Sequence, residues 1–144
     1  MAIEPAVEQR LVDEARAARH ASYSPYSGFA VGAAVLGTSG RIFRGTNVEN
    51  ASYGLTICAE RAAVFSAVSA GERAIEAVAI VTPAPPATPC GACRQVLWEL
   101  WSPHRRSEPT VLIASVESSQ PDRRSLASLL PDAFDATSLG EPPH

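Results

Sequence analysis

Three cysteines, placed as Cys58-Ala59-Glu60 and Pro89-Cys90-Gly91-Ala92-Cys93, constrain what this chain can fold into more than any other feature. Cys90 and Cys93 are three positions apart, so on a helix they share one face. Hydrophobic spacing predicts a helix from near Cys58 to a stop at Gly71, and another from Cys90 to about Trp101. Both cysteine segments thus sit at helix starts, where free N–H groups and the helix dipole favour the thiolate. Thiolate is the form that ligates zinc. Three sulfurs on one ion leave a tetrahedral position vacant. Structural zinc sites usually carry four protein ligands, whereas catalytic ones keep a place for water. The count therefore points to catalysis, provided no histidine closes the shell. His20, His104 and His144 are the histidines present, and none has ligand-like spacing to the cysteines.

Plainer readings stand beside this one. A CxxC pair can be a redox dithiol, and a lone cysteine is ordinarily core packing. Neither calls for a third cysteine or for Glu60. A closed structural zinc site is a further alternative. Glu60 in isolation reads as a helix-start carboxylate facing the dipole; next to the cysteines it reads as a proton carrier.

The rest of the chain predicts one domain over residues 1–144, with a loose tail from about Ala136. Pro5 to about Ser22 has helical spacing, with Val7, Leu11, Val12, Ala15 and Ala18 on one side. Tyr23-Ser24-Pro25-Tyr26-Ser27-Gly28 breaks it. Phe29–Gly37 and Arg41–Thr46 read as a hairpin around Thr38-Ser39-Gly40. Ile75–Thr82 and Thr110–Val116 are strand-like, Pro83–Pro89 is a loop, and Leu126–Leu130 is a short helical patch before Pro131. A hairpin followed by alternating strands and helices predicts an α/β domain, a mixed sheet with helices packed on its faces.

Composition narrows the partners. Of 144 residues, 46% are hydrophobic and 19% charged, enough apolar material for a core. The net charge of −3 argues against gripping nucleic acid or an anionic membrane through phosphates. The close basic pairs, Arg105-Arg106 and Arg123-Arg124, are too sparse for a phosphate track. All twelve basic residues are arginine, which excludes a lysine Schiff base. No apolar run approaches the ~18 residues of a membrane span, and the N-terminus lacks a basic stretch followed by an apolar one. The expectation is a cytoplasmic protein with reduced thiols, and three cysteines cannot all pair within one chain.

The cysteine signature lies within a longer series of motifs. These are Tyr23-Ser24-Pro25-Tyr26-Ser27, Phe29-Ala30-Val31-Gly32-Ala33-Ala34, Asn47-Val48-Glu49-Asn50-Ala51-Ser52-Tyr53, Cys58-Ala59-Glu60-Arg61-Ala62, Pro89-Cys90-Gly91-Ala92-Cys93-Arg94-Gln95-Val96-Leu97 and Leu129-Leu130-Pro131-Asp132-Ala133-Phe134. Through them the chain resembles the cytidine deaminase family over nearly its whole length, in the small form whose zinc is held by three cysteines. The resemblance implies a three-layer α/β/α fold with a mixed five-stranded sheet. It implies one Zn²⁺ per chain on Cys58, Cys90 and Cys93, with Glu60 moving protons between water, the ring and departing ammonia. It implies that Phe29, Asn47, Glu49 and Ala59 bind substrate, Asn47 and Glu49 through ribose hydroxyls, and that Phe134 stacks on the base across a subunit interface of a homotetramer. Tyr53 lies near the shared site. Arg61 and Arg94 closely follow cysteines and could withdraw charge from the sulfurs.

The expected reaction is hydrolytic deamination of cytidine and/or deoxycytidine, with pyrimidine salvage as the setting. Deamination of another aminopyrimidine nucleoside, such as an antibiotic of the blasticidin S kind, would use the same metal motif; the Asn47-Val48-Glu49-Asn50 block argues for an ordinary ribose. Deamination within nucleic acid would need phosphate capture and base stacking, against which the acidic balance counts. A zinc-stabilised scaffold would have no use for Glu60.

Overall fold

The structure is a computed structural model that describes residues 3–101 and 110–140. In chain order the elements are α1 (Pro5–Ala18), β1 (Gly32–Gly37), β2 (Ile42–Thr46), α2 (Ala59–Ser69), β3 (Ile75–Thr82), α3 (Gly91–Glu99), β4 (Thr110–Ser115), β5 (Asp122–Ser125) and α4 (Leu126–Leu129). The five strands form one sheet in the order β2-β1-β3-β4-β5. β3 and β4 are parallel, and the other three neighbouring pairs are antiparallel. A parallel pair needs a crossover, and α3 lies within it.

Side chains alternate across the strands with period two, so the sheet has two buried faces. Ala33, Val35, Val78, Ile80, Val111 and Ile113 share one core with Ala63, Val64 and Ala67 of α2, Leu97 of α3, and Leu126 and Leu129. Ala34, Leu36, Ala77, Ala79, Val81, Leu112 and Ala114 form the other with Leu11, Val12 and Ala15 of α1. Helices on both faces of a mixed five-stranded sheet make the three-layer α/β arrangement expected from the sequence. Burial at roughly 25 cal/mol per Å² of apolar surface is the main term holding the layers together.

The layers approach closely where side chains vanish. A Cβ on Gly45 of β2 would lie 2.2 Å from Ala63 N and 2.4 Å from Ala59 O. The backbone of α2 therefore rests on β2 with no room between them, and Ala59, Ala63 and Ala67, all fully buried, repeat at i, i+4 and i+8 along the contact. This seating fixes where α2 begins, and with it Cys58 and Glu60.

Several local features differ from the sequence reading. α1 closes at Ala18, and Arg19–Ala21 tighten into a 3₁₀ turn. Residues 29–31 lie outside β1, because the Asn47 side chain holds them: Nδ2 donates to Phe29 O at 2.8 Å and Oδ1 accepts from Val31 N at 3.0 Å. β5 has no sequence precedent, since Asp122-Arg123-Arg124-Ser125 lacks apolar alternation; it forms by pairing with β4, and Arg123 reaches Glu8 on α1. Where a loose end is expected, Ala136–Leu139 form a 3₁₀ turn capped by Asp135, which accepts from Thr137 N at 2.9 Å. His104, the pair Arg105-Arg106 and His144 lie outside the described residues.

Candidate metal centre and active site

Cys58 and Cys90 are the N-cap residues of α2 and α3. Each carbonyl accepts the first intrahelical bond, from Ala62 N at 3.1 Å and Arg94 N at 3.0 Å, while neither side chain caps its helix. Both thiols are thereby left for another partner. Cys93 stands one turn into α3, fully buried. Because α2 and α3 pack on the same face of the sheet, residues separated by some thirty positions meet.

The three sulfurs lie within 4.8 Å of one another, with Cys58 to Cys90 at 3.8 Å and Cys90 to Cys93 at 3.5 Å. Tetrahedral zinc with Zn–S bonds of about 2.3 Å places its sulfurs about 3.8 Å apart. The thiols fit that spacing, and none of the three is in a disulfide. Among the described residues this trio is the group able to hold a metal, and no histidine or carboxylate belongs to it. The chemistry of the donor set and its spacing both suit one zinc ion.

Charge around the sulfurs is balanced by Arg61, whose Nη2 donates to Cys58 Sγ at 3.4 Å. Its buried Nε has no hydrogen-bond partner, so the guanidinium is held beside the cluster through its Nη end, by the bond to sulfur and the charge of the thiols. The adjoining Cys93 thiol, with Arg61 in support, draws the Cys58 thiol well below its ordinary pKa. Cys58 in turn, together with burial, pushes Cys93 up. Glu60 is 5% exposed, in the first turn of α2. Burial, with the Cys58 charge nearby, holds its carboxyl above the usual range.

Arg94 makes different contacts from Arg61. It donates to Pro89 O at 2.7 Å, Leu129 O at 2.7 Å and Thr88 Oγ1 at 3.1 Å. Those bonds tie the segment leading into Cys90 to α4; they go to oxygen and not to sulfur.

The expected substrate-binding residues are placed by the loops between these elements. Asn47 is buried and uses Oδ1 on Val31 N and Ser22 Oγ, and one Nδ2 hydrogen on Phe29 O. One amide hydrogen remains. Glu49 accepts from Tyr26 N at 2.9 Å, Ser27 N at 3.2 Å and Ser27 Oγ, and these bonds, the hydroxyl first, hold its carboxyl below the ordinary value. Phe29 is 43% exposed, Phe134 is 58% exposed, and Tyr53 meets Tyr26 edge-on at 6.3 Å. Ala59 opens α2 and is fully buried. Ser22 and Ser27 carry no sequence signal for these roles, because their partners lie 25 and 22 positions away.

Known proteins resemble the chain over most of its length. Residues 5–104 match the family described as the cytidine and deoxycytidylate deaminase zinc-binding region. A cytidine deaminase of Halalkalibacterium halodurans is 44% identical over 137 residues, covering 92% of this chain and 98% of the relative. One of Sporosarcina psychrophila is 42% identical over 132 residues, covering 91% and 93%. The crystal structure of cytidine deaminase from Burkholderia pseudomallei superposes with a TM-score of 0.80 at 46% identity, over 88% of this chain and 98% of that one. With the family matched over most of the chain and relatives above 40% identical over nearly all of it, the chain belongs to the cytidine and deoxycytidylate deaminase family of zinc-binding proteins.

Proposed function

We propose that this protein is a zinc-dependent hydrolase that converts free cytidine and/or deoxycytidine to the corresponding uridine, with release of ammonia. The observation that carries this reading is a buried carboxylate, Glu60, two residues from one thiol of a trio at zinc spacing. Cys58, Cys90 and Cys93 would hold one zinc ion, which would supply Lewis-acid activation of water at neutral pH. Glu60 accepts a proton from the attacking water and passes it to ring N3, then carries the proton of the new C4 hydroxyl to the amino group, which leaves as ammonia. A C4–O bond forms, the C4–N bond breaks, and water is consumed as ammonia leaves. Burial of Glu60 keeps bulk solvent from competing for these protons.

The remaining roles follow from groups left available. Ala59 carries one of the free N–H donors at the start of α2, suited to a carbonyl of the base. Asn47 keeps one donor and the Glu49 carboxylate one acceptor site, a complement for a single sugar hydroxyl. Phe29 lines the pocket wall. Phe134, exposed in the single chain, supports assembly into a homo-oligomer, with a tetramer as the reading, in which its ring covers the base bound by a neighbouring copy. Arg61 draws charge from the sulfur cluster. The free thiols suit a reducing cytoplasm and a task in pyrimidine salvage.

The test is ammonia release and the ultraviolet change of the pyrimidine, with cytidine and deoxycytidine, on protein of measured metal content. Zinc-loaded wild type turns over either nucleoside, and metal-depleted protein does not. Glu60→Gln retains zinc and loses about 10²–10⁴-fold in kcat, the usual span for removing a general acid–base. Zinc-loaded wild type that releases no ammonia from either nucleoside would falsify the proposal.

A further inference from the structure

The C-terminal segment is tied to the zinc-bearing helix at three points. Arg94 donates to Leu129 O at 2.7 Å, Gln95 Nε2 to Phe134 O at 2.8 Å, and Trp98 Nε1 to Asp135 Oδ2 at 3.0 Å. The donors lie after Cys93 along α3, Arg94 and Gln95 directly and Trp98 one turn further on. Between α4 and Phe134 the chain turns through Asp132 at φ 54°, a left-handed conformation that is strained for a residue with a side chain. Asp135, besides accepting from Trp98, caps the turn at Ala136–Leu139. Yet the Phe134 ring between these anchors is 58% exposed. A single exposed aromatic ring needs no explanation. An exposed ring whose own carbonyl and following residue are both pinned to the helix that holds two metal ligands does need one.

We propose that Gln95 is a positioning residue for nucleoside binding: by anchoring the Phe134 carbonyl to α3, it sets the ring in the orientation that stacks on the base. The inference rests on the substrate role of Phe134 given above. Free to turn, an exposed aromatic side chain samples several rotamers, and only some present its face to a planar ring. The Gln95 bond restricts the backbone from which that ring projects. The helix that gathers Cys90 and Cys93 of its own chain thereby also sets the ring that this chain presents to the base bound by a neighbouring copy.

The experiment compares Gln95→Met, which keeps length and removes the donor, with Gln95→Glu, which keeps shape and removes it. Zinc content and Tm stay at wild-type values, and kcat at saturating cytidine stays within about twofold. KM rises about five- to tenfold, the partial loss of a base-stacking contact. In a Phe134→Ala background the same replacements leave KM where Phe134→Ala alone puts it. A purely structural Gln95 would change Tm or kcat without depending on the ring. Wild-type KM in both Gln95 variants, or a rise that persists in full beside Phe134→Ala, overturns the inference while leaving deamination intact. Phe134→Ala with unchanged KM removes the role on which it stands. Failure of zinc-loaded wild type to deaminate cytidine overturns the proposed function itself.

Discussion

Replacing Gly45 by alanine tests whether the seating of α2 on β2 sets the active site. A Cβ there would stand 2.2 Å from Ala63 N, 2.4 Å from Ala59 O and 2.7 Å from Ala63 Cα. All three atoms are backbone, so no side chain can swing away. Ordinary contact begins near 3.4 Å, and the helix must retreat by about 1 Å to restore it. Overpacking of this kind costs about 1–3 kcal/mol, which for a chain of this size is a fall in Tm of about 2–10 °C. The atoms displaced flank Cys58 and Glu60, while Cys90 and Cys93 stay with α3. A shift of about 1 Å at reacting groups lowers turnover about 10²-fold, so the activity loss should outrun the stability loss. Thermal melts, zinc content and cytidine turnover measure the three effects. Gly54→Ala is the comparison, because a Cβ there meets nothing within 4 Å; its stability stays within about 0.5 kcal/mol of wild type. A Gly45→Ala protein with wild-type Tm and kcat would show that α2 does not rest on the β2 backbone, and the account of how the site is positioned would fail.

Two further outcomes follow from the site. Arg61→Gln removes the N–H···S bond to Cys58 and weakens zinc retention about 10- to 100-fold, read by chelator competition; unchanged retention would show that the guanidinium does nothing for the metal. Glu49 has a folded pKa below its unfolded one, so its stabilisation of the Tyr23–Ser27 loop is fully present above the unfolded value of about 4.3 and lost as pH falls through the folded value. Amide exchange at Tyr26 and Ser27 should accelerate in that window, and the acid-dependent step should be absent in Glu49→Gln; an identical pH response in both proteins would refute it.

Much of the molecule is legible before any coordinates. Ile75–Thr82 is a strand at the bounds its apolar run predicts, and α2 and α3 begin at the cysteines as the hydrophobic spacing predicts. These features are local: periodicity and helix-start chemistry depend on neighbours within a few residues. β5 is not legible, because Asp122–Ser125 is a strand only by virtue of the edge that β4 offers and the carboxylate that α1 offers to Arg123. The contrast between the two arginines is of the same kind. Arg61 and Arg94 each follow a cysteine, and only the packed structure sends one to sulfur and the other to Pro89, Leu129 and Thr88.

The residue types and their spacing narrow the chemistry, since three thiols and one carboxylate so placed suit a zinc ion with a proton carrier beside it. They also determine the alternation that buries both faces of the sheet. Tertiary structure decides what each polar group has left to offer. Asn47 and Glu49 are tied down by Ser22 and Ser27 from more than twenty positions away, and Phe134 is held by a glutamine on α3. Hydrogen-bonding capacity is finite, and how it is divided depends on which groups the fold brings within 3 Å, a quantity no local pattern encodes.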